Sequence, residues 1–227
     1  MRMKNPPGGA SWAAFIRANT ELLPPPLAPE IRLHLAAESL PIWQKTEDEL
    51  GEINVPPPYW AFAWAGGQAL ARYILDTPSL VVGKTVLDLG AGSGLQAIAA
   101  VKAGAARVLA ADIDQIALVA CGLNAAANGT AFEVTAKDLL AGNMADGFDV
   151  VLVGDLFYER QLAERVLALV DRAVDAGSDV LIGDPQRNYF PKDRFTEVAR
   201  YEVPVTRELE DALIKRTAVW RAGRASG

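Results

Sequence analysis

Positive charge is in short supply in this chain. Its 22 Lys and Arg residues face 28 Asp and Glu, leaving a net charge of -6 at pH 7. Binding nucleic acid would call for a basic face, and no run of residues supplies one, so no nucleic-acid partner is expected. The only cysteine, Cys121, excludes an internal disulfide. It falls in a helical apolar pattern, which reads as a buried small hydrophobe in a protein of a reducing compartment. The only histidine, His34, has no cysteine or second histidine near it in a ligand spacing, so no metal site is expected and a solvent-facing strand position is the simpler reading. No stretch reaches the 18 apolar residues of a membrane span. The opening MRMKNPPGGASW has no apolar core behind its two basic residues, so it reads as neither a signal nor an anchor. These absences predict a cytoplasmic protein that does not meet a membrane. With 227 residues there is enough chain for one α/β domain, and a monomer is expected. The abundant alanine and the lack of a transit-like arm suggest a bacterial source.

What is present is organised around Thr85 to Gly94, TVLDLGAGSG. The apolar run Val86, Leu87 and Leu89 stops at Gly90, Gly92 and Gly94, and a helical pattern follows from Leu95 to Lys102. This is a buried strand, a tight turn and a helix start. Glycines so spaced let the backbone approach a ligand that a Cβ would hold off. The dinucleotide fingerprint G-x-G-x-x-G is not met, because its third glycine would fall at Leu95. Asp88 would repel a pyrophosphate, but it suits a cofactor that carries an ammonium, as a sulfonium amino acid does.

Ahead of this stretch, residues 1–10 read as disordered, and Ser11 is expected to cap a helix through about Leu23, stopped by Pro24-Pro25-Pro26. The alternation Ile31, Leu33, Leu35 predicts a strand, with Leu40-Pro41-Ile42-Trp43 as its hairpin-like partner. After the polar stretch Gln44 to Glu52 and three prolines comes the aromatic cluster Tyr59-Trp60-Ala61-Phe62-Ala63-Trp64, dense for a chain with 7% aromatics. Trp60 and Trp64 are expected either to pack a corner of the core or to form a wall beside a cofactor. Gly66-Gly67 open a helix whose free N–H groups suit a ligand carboxylate.

Beyond the glycine loop, a strand from Arg107 to Ala111 ends at Asp112, placed to accept the two hydroxyls of a ribose, with Ile113 next to it. Asp114 reads as the N-cap of a helix from Gln115 to Ala127, closed by Asn128-Gly129. A third strand, Ala131 to Thr135, leads to Asp138 and Leu139, where the carboxylate would either take an adenine amino group or hold a turn. The fourth, Phe148 to Val153, is apolar throughout, as a central strand buried on both faces is. It ends at Asp155-Leu156-Phe157-Tyr158, before a helix from Glu159 to Ala173. The fifth, Asp179 to Ile182, ends at Gly183-Asp184-Pro185, and strands near 199–203 and 213–220 close the chain. Alternating strands and helices followed by two adjacent strands predict an α/β fold with a mostly parallel sheet and an antiparallel C-terminal hairpin edge.

Together, Asp88-Leu-Gly-Ala-Gly-Ser-Gly94, Asp112, Asn124 to Gly129 and Asp155-Leu-Phe-Tyr158 resemble the class I, seven-β-strand S-adenosylmethionine-dependent methyltransferases. With Tyr59 to Leu70, the chain looks like the lysine methyltransferases that modify the β subunit of electron transfer flavoprotein. The likeness spans about residues 31–221. It implies a Rossmann-like seven-stranded sheet with helices on both faces, and an N-terminal helical and β appendage. The expected division is 1–30, an arm and helix, and 31–227, a methyltransferase domain with substrate-side and lid elements at 31–82 and a core at 83–221. The resemblance implies S-adenosyl-L-methionine as cofactor and S-adenosyl-L-homocysteine as product, without a metal. It places Trp60, Trp64, Gly66, Asp88, Gly90, Gly92, Gly94, Asp112, Ile113, Asp138 and Leu139 around the cofactor and Asp155, Phe157 and Tyr158 at the reacting amine. The implied substrate is the electron transfer flavoprotein β subunit. Other substrates, a ribosomal protein or a small amine, stay open, as does a non-catalytic nucleoside-binding module.

Overall fold

The structure, a computed structural model, describes residues 9–36, 58–142, 147–205 and 214–223, and the statements below refer to these. Helix α1 (Gly9–Asn19) leads into two short strands, β1 (Glu21–Leu23) and β2 (Leu33–Leu35). Helix α2 (Ala65–Asp76) precedes the main sheet, whose strands are β3 (Thr85–Leu89), β4 (Arg107–Ala111), β5 (Glu133–Thr135), β6 (Val150–Gly154), β7 (Asp179–Asp184), β8 (Thr196–Pro204) and β9 (Ile214–Ala222). Between them run α3 (Leu95–Lys102), α4 (Gln115–Ala127) and α5 (Arg160–Asp175).

The seven strands lie in the order β5-β4-β3-β6-β7-β9-β8. The first five are parallel, with Val86 of β3 level with Val108 of β4 and Val150 of β6, while β9 runs antiparallel to both β7 and β8. The expected parallel sheet with a hairpin edge is therefore present. Alternating residues on β3 face opposite layers. Val86 joins Leu152 and Leu181 beneath α2 and α3, whereas Leu87 and Leu89 join Val151 and Ile182 beneath α5. Every residue of β6 is buried, as its position in the middle of the sheet requires. The chain leaves β3 towards β4 and β5, then returns to the other side of β3 as β6. Ligands of open α/β sheets bind beyond the carboxyl ends of the strands at such a switch point.

The N-terminal part departs from the sequence reading. Helix α1 stops at Asn19, because the side chains of Asn19 and Thr20 turn back to the carbonyls of Phe15 and Ile16 at 2.8 and 2.6 Å. Ser11 lies inside the helix rather than at its cap, and Leu23 belongs to β1. The partner of β2 is this upstream strand, with Leu23 level with Leu33; Leu40 to Trp43 lie outside the described residues. Helix α1 packs onto the main fold. Ile16 is fully buried in a cluster with Trp60, Ile116, Ala117 and Ala120, which fixes the helix against α4. His34 is partly covered, its Nδ1 lying 3.1 Å from the Thr20 hydroxyl, and burial lowers its pKa.

Candidate active site

The carboxyl ends of β3, β4, β6 and β7 carry Gly90, Asp112, Asp155 and Asp184 to one rim. In the turn after β3, Gly90, Gly92 and Gly94 have φ of 67°, 52° and 77°, backbone that a Cβ makes costly. A Cβ on Gly90 would come within 2.7 Å of Leu156, and one on Gly94 within 3.1 Å of the Cys121 sulfur. At Gly92 the nearest neighbour would be the Cα of Trp60, 3.9 Å away. Of the three, Gly92 is the one whose missing side chain leaves room for something outside the loop.

Asp112 is tied to that same residue. Its Oδ2 accepts the Gly92 N–H at 2.8 Å and its Oδ1 accepts the Asp114 N–H at 2.9 Å. Burial raises its pKa, and the two N–H groups oppose that. Asp114 caps α4 as expected, accepting the Ile116 N–H at 2.8 Å. Ile113 between them projects outwards, 72% exposed. Asp88 sits differently from expectation. It is fully buried beneath the turn, where Oδ2 accepts the Ala97 N–H of α3 at 3.0 Å and Oδ1 has no partner. Burial raises its pKa to about 7. The carboxylate therefore ties β3 to α3 and does not line the rim.

At the end of β6, Asp155 is one of two non-glycine residues with positive φ among the described residues, at 58°; the other is Gln186, at 63°. Its backbone N–H donates to Gly183 O at 3.0 Å. Its side chain is nearly buried, with Oδ2 accepting the Gly67 N–H at 2.9 Å and Oδ1 receiving Nε and Nη2 of Arg187 at 3.1 and 2.7 Å. The Arg187 guanidinium lies over the Trp64 ring, 5.5 Å from its centre. Tyr59 stands between Trp64 and Tyr158, at centroid distances of 6.1 and 5.9 Å, and both tyrosines are 45% exposed. Ring faces and edges thus form a shelf beside Asp155, with burial raising the Tyr158 pKa.

Several expected site residues lie elsewhere. Phe157 is fully buried in the layer beneath α5, edge-on to Phe190 at 5.2 Å. The Trp60 ring is likewise buried, among Ile16 and α4; only its backbone passes the glycine loop. Gly66 lacks a side chain because α2 crosses β7 there, and a Cβ would overlap Gly183 O. The Gly67 N–H, expected to be open to a ligand, is taken by Asp155. Asp138 caps the short turn Leu139–Ala141 through Leu140 N–H and pairs with Arg165 at 2.5 Å, while Leu139 is buried beneath α5.

Sequence reasoning assigned no site role to Arg187, Asp184 or Asn124. Asp184 accepts the Arg187 N–H at 2.7 Å, and its other oxygen is buried without a partner. Burial and neighbouring Asp155 raise its pKa to about 7. The rule that ligands gather at carboxyl strand ends applied to β7 as well, and would have singled it out. Asn124, fully buried, donates to Ser93 O in the glycine loop at 2.8 Å and accepts the His34 N–H at 2.7 Å, so it fastens β2 to the loop. Nothing in the spacing of these residues signals that bridge. Among the described residues, no group of His, Cys, Asp or Glu could hold a metal ion, and no helix is long and apolar enough to cross a membrane.

A family profile described as "Ribosomal protein L11 methyltransferase (PrmA)" matches residues 69–175. The electron transfer flavoprotein beta subunit lysine methyltransferase of Mus musculus is 40% identical over 215 residues, covering 91% of this chain and 82% of its own. That of Danio rerio is 38% identical over 213 residues, covering 91% and 81%. A ribosomal protein L11 methyltransferase of Trichlorobacter lovleyi is 31% identical over 185 residues, covering 78% and 57%. Among solved structures, SMU.776 in complex with SAH shares the fold at a TM-score of 0.51 and 12% identity, over 70% of this chain and 50% of that one. Thermoplasma acidophilum 1320 does so at 0.51 and 18%, over 70% and 91%. The two animal relatives lend no support to a bacterial source.

Proposed function

The chain belongs to the electron transfer flavoprotein β-subunit lysine methyltransferase family, an S-adenosylmethionine-dependent class, and on that premise we propose that it methylates lysine ε-amino groups of that subunit. The observation that carries the reading is the placing of two different halves on one rim. Gly92 and Asp112 offer an open backbone position beside a carboxylate, and Asp155 with Tyr59, Trp64 and Tyr158 makes a cation-tolerant shelf.

The residues fit the cofactor. Each oxygen of Asp112 accepts a single backbone N–H, leaving lone pairs for the two hydroxyls of a ribose. Exposed Ile113 offers an apolar surface beside them, suited to a flat base. Asp88 contributes by holding the turn from beneath, and Asp138 by holding its own turn. When bound, the cofactor supplies a methyl group on a sulfonium.

The lysine sets the difficulty. Its amine has a pKa of about 10.4, so presenting it neutral at pH 7 costs on the order of 4 to 5 kcal/mol. A shelf of rings desolvates the ammonium and lowers that cost. Tyr158 and Tyr59 flank the alkyl stem and accept a cation against their faces, and Asp155 orients the nitrogen and stabilises the positive charge that develops on it. Asp155 is too weak a base to strip the ammonium unaided; loss of that proton to water precedes transfer. A cytoplasmic location and a monomeric state complete the proposal.

Labelled methyl donor should be given to the purified protein with the electron transfer flavoprotein β subunit, and separately with ribosomal protein L11. We expect label on lysines of the first, located by mass spectrometry. Label on L11 with none on the flavoprotein subunit would overturn the substrate assignment, and SAH binding without transfer to either would favour a nucleoside-binding module.

A further inference from the structure

We propose that Arg187 is a positioning residue for methyl transfer, acting on the reaction through the orientation of Asp155. The proposal rests on the role given to Asp155 above and deepens it. Asp155 sits on a left-handed backbone at the end of β6. Arg187 supports the side chain. Its Nε and Nη2 form a fork on one carboxylate oxygen at 3.1 and 2.7 Å while Gly67 N–H holds the other, so the plane of the carboxylate is fixed from both ends.

The arginine is itself anchored among the described residues. Its backbone N–H donates to Asp184 Oδ1, its guanidinium lies over Trp64, and the preceding Gln186 reverses the chain at φ 63°. The pair is mostly shielded, with side chains 17% and 8% exposed. A shielded ion pair is weak evidence for stability, because an apolar pair of similar volume often stabilises as well. It does fix geometry, and transition-state stabilisation by a charge depends on the charge being preorganised. Lysine cannot reproduce the arrangement, since an ammonium is a point charge without the planar fork.

Arg187→Lys and Arg187→Gln should each be measured alone and in an Asp155→Asn background, following kcat and KM for methylation of the flavoprotein β subunit, SAH affinity by calorimetry, and Tm. We expect Arg187→Lys to remain folded, to bind SAH within about threefold of the parent, and to lose roughly ten- to a hundredfold in kcat with a smaller change in KM, the pattern of an interaction made in the transition state. Arg187→Gln should lose more. In the Asp155→Asn background either change should cost less than about threefold, because residues acting as a unit are not additive. A full loss in that background, or a loss confined to KM, would overturn the proposal. Full activity of Asp155→Asn alone would instead refute the role of Asp155, and absence of label on the flavoprotein subunit the substrate reading, so the failures are told apart.

Discussion

Asp155 caps helix α2 from across the sheet: its Oδ2 accepts the N–H of Gly67 at 2.9 Å, 88 residues away in the chain. Helix α5, which begins just after Asp155, receives no side-chain cap from Glu159 at its N-cap position. The carboxylate is therefore shared between a structural hydrogen bond to one helix and an ion pair with Arg187. An amide in its place must either lose the Gly67 bond or turn its NH2 towards a guanidinium. Asp155→Asn is accordingly expected to lower stability by about 3 kcal/mol or more, as when one partner of a buried pair is removed. It should also lower kcat by two or more orders of magnitude. Urea unfolding with turnover on the folded fraction separates the two effects. Retained turnover would leave Asp155 with the structural task alone.

The alternation that places β3, α3, β4, α4 and β6 was legible because each element is long enough to show its own period, and Gly90 to Gly94 mark a turn by composition. The N-terminal boundary was not, since α1 ends through the side chains of Asn19 and Thr20 rather than at the prolines, and β1 finds its partner only in the folded chain. At the site, the rim residues Asp112, Asp155 and Tyr158 could be read because strand ends locate them. Phe157 could not be told apart from Tyr158 in the sequence, because burial of 157 with exposure of 158 is a tertiary fact. Arg187 lies 32 residues beyond its partner, a separation that no local pattern encodes.

Asp112→Ala should weaken SAH binding by roughly ten- to a hundredfold, the equivalent of about 1.5 to 3 kcal/mol for a charge-assisted bond. The change also frees the Gly92 and Asp114 N–H groups, which loosens the loop. Calorimetry provides the check. Unchanged affinity would remove Asp112 from the cofactor site.

Two glycine substitutions should move stability in opposite directions. A Cβ at Gly66 meets the Asp155 carboxylate at 2.6 Å and the backbone of Gly183, neither of which has room to yield, so Gly66→Ala is expected to destabilise by about 1 to 3 kcal/mol or displace α2. Gly122 lies inside α4 with nothing within 4 Å of its added carbon, and there alanine should stabilise by about 0.5 to 1 kcal/mol. Thermal melts of both variants test the pair. A Gly66→Ala protein as stable as the parent would mean that α2 and β7 do not cross as closely as described.

The last prediction concerns Asp88. Its ordinary pKa of 3.8 is raised to about 7 in the folded chain, first by burial and then by the nearby charge of Asp112, with the Ala97 N–H opposing both. Between pH 4 and 7 the folded state thus holds a proton that the unfolded chain has released, so stability falls as pH rises through this window. A displacement of that size corresponds to at most about 4 kcal/mol, lost by the time pH exceeds 7. Asp88→Asn keeps an acceptor for Ala97 and cannot ionise. Its stability relative to the parent should therefore be less favourable at pH 5 than at pH 8, by about 1 kcal/mol or more, measured by urea unfolding at both values. Asp184 titrates in the same window, but it is present in both proteins and cancels from the difference to first order. An offset that does not change with pH would show that Asp88 is not the titrating group.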